Sequence, residues 1–117
     1  MFPNAKNRIV ESHPEVCFAI LNSKGNFPEP IYENKKTQEG MSKRLELLSK
    51  YYYRTEDIKA HIYSNPTLYG MKDDVVDALC LAVIGMLGIG NGFGAIPNRP
   101  MKDNRGILMQ MTYPNIF

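Results

Sequence analysis

The sequence predicts a fold that mixes helix and strand, α/β or α+β, and three observations carry that expectation. Residues 73–87 form a long apolar segment opened by acids and followed by Gly88. Ile107, Met109, Met111 and Tyr113 alternate with Leu108, Gln110 and Thr112, the period-two signature of a strand. Arg8-Ile-Val-Glu-Ser12 reads as a second short strand running into a turn.

The elements follow in order. After that first strand, Pro14 suits the opening position of a helix, with Ser12 or His13 as its cap. Residues 15–22 carry Val16, Phe18, Ala19, Ile20 and Leu21 and suit a short buried helix, though so short an apolar run also admits a strand. Residues 22–30, with Gly25, Pro28 and Pro30, form a loop. Thr37 begins a second helix that turns Met41, Leu45, Leu47 and Leu48 inward and Lys43, Glu46 and Lys50 outward. Ile58, Ala60 and Ile62 alternate with Lys59 and His61, so that stretch is either a strand or part of a helix. Asn65-Pro66 breaks it. The third helix, residues 73–87, is apolar almost all round, and a Gly- and Pro-rich loop follows it to Gly106.

A length of 117 residues, 44% hydrophobic and 22% charged, fits one domain over residues 1–117. The net charge of +2 excludes a general polybasic field. The bias is local: between residues 35 and 59, Lys35, Lys36, Lys43, Arg44, Lys50, Arg54 and Lys59 outnumber Glu39, Glu46, Glu56 and Asp57. Cys17 and Cys80 sit in apolar runs without CxxC spacing, which suits buried free thiols in a reducing compartment. The first residues have no apolar core of a signal peptide, and the solid apolar run 78–87 is too short for a membrane span. A cytoplasmic protein with no membrane partner is expected.

The chemistry concentrates in Lys72-Asp-Asp-Val-Val-Asp77. Asp74 and Asp77 share one face of the first helical turns, and Asp73 suits a cap. Acids at a helix start are stabilised by its dipole, and that alone explains them. Three carboxylates exceed what capping needs, however, and a hard divalent cation is the usual remedy for their repulsion. Glu11, at the end of the apolar Ile9-Val10 strand, is a further candidate beside its plain reading as a solvated strand-end acid. Lys35-Lys36 is either a solvated charge run or a phosphate contact at a helix start, with Arg44 nearby in sequence. The glycine series at 88, 90, 92 and 94 follows a helix and precedes a Pro-rich segment, the wrong order for a dinucleotide loop. His13 and His61 have no zinc-ligand spacing, and no nucleophile motif is present.

Taken in order, the motifs Val10-Glu11-Ser12-His13-Pro14-Glu15-Val16, Lys35-Lys36-Thr37 with Gly40 and Arg44-Leu45, Asp73-Asp74 with Asp77-Ala78-Leu79, and Pro97 with Pro100, Asp103 and Gly106 resemble a family. It is the RNase H-like nuclease family catalogued as a domain of unknown function, and the match covers the C-terminal half of its domain. The resemblance implies an α/β fold: a partial RNase H-like (integrase-like) mixed sheet with flanking helices, lacking the N-terminal β-meander. It implies metal-dependent phosphodiester hydrolysis with Mg²⁺ or Mn²⁺ held by Glu11, Asp74 and Asp77, and Asp73 as a substitute. Lys35, Lys36 and Arg44 would contact nucleic acid or phosphate. The family's first-strand Asp has no counterpart here, so the chain is expected to be incomplete or inactive alone. A homodimer, or a partner supplying the missing strands, would complete it. The competing reading is a non-catalytic interaction module that associates through its sheet edge, and a weaker one is a small nucleotide-binding regulator.

Overall fold

The computed structural model describes residues 12–102, 108–114 and 116. They form five helices followed by an antiparallel ribbon: α1 (Pro14–Leu21), α2 (Gln38–Ser49), α3 (Thr55–Ser64), α4 (Pro66–Gly70), α5 (Lys72–Asn91), β1 (Phe93–Lys102) and β2 (Leu108–Pro114). Pro14 opens α1 behind an extended His13, where a missing N–H costs nothing. The Thr37 hydroxyl accepts the Gly40 N–H and so caps α2. The Asn65 side chain caps α4 through the N–H groups of Thr67 and Leu68.

The alternation at residues 58–62 resolves as helix. Ile62 is buried and Ile58 half-buried, four residues apart on one face of α3, whereas Lys59 and His61 lie off that stripe. The last helix outruns its expected end. Gly88 is buried inside it, and the chain leaves the helix only at Gly92, whose φ of 80° suits a residue without Cβ. Of the segment expected to be loop down to Gly106, residues 88–91 end α5 and Phe93–Lys102 form β1, and residues 103–106 lie outside the described residues. The final strand is present as β2, and Ile107 lies outside the described residues.

The expected mixed sheet with flanking helices is corrected by these elements. Among the described residues the strands form a two-stranded sheet alone, both come after all five helices, and the architecture is mainly helical. The RNase H-like (integrase-like) layout needs strands interleaved with helices. Here the interior segments that alternate or run apolar, 15–22 and 58–62, bury helical stripes instead. The strand expected at residues 8–12 lies outside the described residues, apart from Ser12.

The core gathers Cys17, Phe18 and Leu21 of α1, Met41, Leu45 and Leu48 of α2, Ile62 of α3, and Val76, Cys80, Val83 and Ile84 of α5. α5 is the central element: α1, α2, α4 and β2 all pack on it, and α3 reaches it through α2 and α4. Gly40 is required where α2 begins, because a Cβ there would stand 2.0 Å from the carbonyl oxygen of Asn34. No helix among the described residues is long and apolar enough to cross a membrane.

Candidate functional site

The turn before α2 places two lysines over the start of α5. Asn34 is its anchor: its side-chain oxygen accepts the Lys36 N–H at 2.8 Å, and its carbonyl accepts both the Thr37 N–H at 3.0 Å and the Thr37 hydroxyl at 2.7 Å. So fixed, the turn sends Lys35 and Lys36 toward the first two turns of α5. Lys35 Nζ lies 3.1 Å from Asp77 Oδ2, and Lys36 Nζ lies 3.5 Å from Asp73 Oδ2. The hydrogen bond that Lys35 donates to Asp77, then the charge of Asp77, holds the Lys35 ammonium above its ordinary pKa; the charges of Asp73 and Glu15 add to the effect.

Asp73 and Asp77 are four apart and face the same side of α5. Each spends one oxygen on a lysine. The other oxygens, Asp73 Oδ1 and Asp77 Oδ1, are buried and have no hydrogen-bond partner. An unpaired buried carboxylate oxygen costs free energy, so this pair is the least satisfied spot among the described residues.

The predicted residues separate accordingly. Asp73 and Asp77 come together, with Lys35 and Lys36 as counter-ions, while Asp74 is exposed on another side of the helix. Glu11 lies outside the described residues. Arg44 is buried, 3% exposed, and its donors are occupied: Nε and Nη2 by the Glu15 carboxylate, and Nη1 by the carbonyls of Glu33 and Gly40. In this arrangement it ties α1 to α2 and offers no face to a ligand. Glu15 is the residue that sequence reasoning missed. Its acid in the first turn of α1 was the available signal.

Two oxygen donors from one helix suit a hard cation such as Mg²⁺, which commonly takes one or two carboxylates and completes its shell with water and phosphate. Among the described residues no three His, Cys, Asp or Glu side chains are grouped as metal ligands, so two carboxylates are what this part of the chain supplies. Nucleophilic thiol chemistry is disfavoured nearby. Cys80 sits one turn beyond Asp77 with its Sγ 3.8 Å from the Pro14 carbonyl oxygen, and burial pushes its pKa far up. Burial raises Cys17 as well.

Comparison with curated proteins and with solved structures gave no match. The profile of one family, described as "Protein of unknown function (DUF429)", matches residues 1–102. That stretch takes in α1 to α5 and β1, with the lysine pair and all three aspartates, and the chain therefore belongs to the DUF429 family.

Proposed function

We propose that Asp73 and Asp77 serve a divalent-metal site for phosphodiester hydrolysis. The two buried, unpartnered Oδ1 atoms carry this reading, since a Mg²⁺ or Mn²⁺ ion is the partner that would satisfy both at once. Such an ion supplies charge for the developing phosphoryl oxygens. Lys35 and Lys36 offset the carboxylates' mutual repulsion and, being partly exposed, are placed to turn toward a phosphate. Glu11 is the proposed third ligand. Free buried thiols at Cys17 and Cys80 support a reducing, cytoplasmic setting.

The test is Mn²⁺ binding by calorimetry, with cleavage of a labelled oligonucleotide followed in parallel. Asp73→Asn and Asp77→Asn should each weaken Mn²⁺ binding by about tenfold or more and abolish any cleavage. Unchanged Mn²⁺ affinity in both variants would overturn the assignment.

A second reading, a non-catalytic module that associates through a sheet edge, draws on one observation. β1 and β2 pair only with each other among the described residues, and open edges are templates for another strand. Light scattering decides: a mass near twice 13.3 kDa supports it, and 13.3 kDa at all concentrations removes it.

A further inference from the structure

Beside the aspartates, on the far side of Lys36, α2, α3, α4 and α5 enclose a shallow cleft. Lys36, Thr37, Gln38, Met41, Tyr63, Tyr69 and Lys72 line it. Tyr63 and Tyr69, from α3 and α4, are each 46% exposed and stand as a tilted pair with ring centroids 5.7 Å apart. Lys72 Nζ lies 4.0 Å above the Tyr69 ring, and Lys36 is largely in solvent. The cleft therefore joins aromatic faces to two ammonium groups, and the capped start of the twelve-residue α2 adds a positive helix end.

We propose that this cleft binds a nucleotide unit, its base against the tyrosines and its phosphate between Lys36 and Lys72. The reading deepens the proposed phosphodiester chemistry and rests on it for the nature of the substrate. Aromatic rings take any base by stacking, and lysines beside them take the backbone, the combination by which single strands are held without sequence preference. Size narrows the choice further. The cleft measures about 170 Å³, below the roughly 300–1,000 Å³ of a pocket that engulfs a whole small molecule. One flat group enters and the rest lies outside, as expected for a segment of a longer strand. Lys36 also pairs with Asp73, so a strand seated here runs past the two aspartates.

The test is fluorescence anisotropy of a labelled mixed-sequence single strand, with the matching duplex and a nucleoside monophosphate as competitors, all in EDTA. Without metal no hydrolysis is read, so failure of cleavage elsewhere leaves this result standing, and failure here leaves the metal assignment standing. The single strand should bind more tightly than the duplex. Tyr63→Ala and Tyr69→Ala should each weaken it roughly 5- to 100-fold, as when a stacked base loses its ring, while Tyr69→Phe keeps the affinity. Lys36→Ala and Lys72→Ala should each lower the salt slope by about one. Competition by the monophosphate at low concentration would support the same chemistry with a free nucleotide as its source. No binding at low salt, equal binding of the duplex, or tyrosine variants that are folded by circular dichroism and bind like the wild type would each overturn the proposal.

Discussion

Arg44 of α2 and Glu15 of α1 meet fork to fork, Nε to Oε1 at 3.2 Å and Nη2 to Oε2 at 2.8 Å. The guanidinium also donates to the carbonyls of Glu33 and Gly40, and it lies 5.6 Å from the Phe18 ring centre. One side chain thus fixes α1, the preceding loop and α2 against each other. Planar, bidentate geometry of this kind suits arginine and not lysine.

Removing either partner should therefore be costly. Glu15→Ala leaves a buried guanidinium half satisfied, and a loss of about 1–3 kcal/mol is expected. Arg44→Lys should lose a similar amount, because an ammonium cannot span both oxygens. Urea denaturation measures both.

Gly40→Ala should destabilise through the backbone. The added carbon would meet the Asn34 carbonyl, whose position is set by the Thr37 cap, and neither side yields easily. A loss at or above the top of the roughly 1–3 kcal/mol range for overpacking is expected. A thermal melt that does not move would refute it.

Core truncations should rank by burial. Leu48, fully buried, should cost roughly 2–5 kcal/mol on change to Ala, whereas Leu79, only partly buried against the core, should cost less. Equal losses in chemical denaturation would place Leu79 deeper than described.

Acid should titrate away one surface contact. The hydrogen bond from Lys43 holds Glu33 below the ordinary glutamate value of 4.5. A depressed folded-state pKa means that the contribution is present above 4.5 and fades as the pH falls through the lower folded-state value. Lys43→Ala should lower stability slightly above about pH 4.5, neutrality included, and flatten the acid limb, so that the two stability–pH curves converge at low pH. An identical acid limb in the variant would rule this out.

Much of the helical part was legible because its signals are local. Pro14 at a helix start, Thr37 as a cap and the apolar length of α5 each act within a turn or two of chain. β1 was not legible. Its register slips between Ile96 and Met101, the stretch that holds Pro97 and Pro100, and proline cannot donate to a ladder, so no alternation survives there to be read. The fold class failed for a related reason: short apolar runs look alike whether they bury a helical stripe or a strand. At the site, the acids were visible and their partners were not. The i, i+4 spacing of Asp73 and Asp77 is written in the sequence, but Lys35 meets Asp77 across 42 residues. Which aspartate turns inward, Asp73 or Asp74, depends on how that turn packs.

The ribbon at the end of the chain has a consequence for how the molecule opens. β1 pairs with β2, and β2 alone of the two packs broadly on α5. Among the described residues the ribbon has two strands and no third, and such a ribbon is marginal by itself, so its persistence there is borrowed from that helix. Amide hydrogen exchange should then fall into two tiers. The α1–α2–α5 core should exchange only by global unfolding, while the β1–β2 amides exchange through a cheaper sub-global opening that leaves the aspartate end of α5 closed.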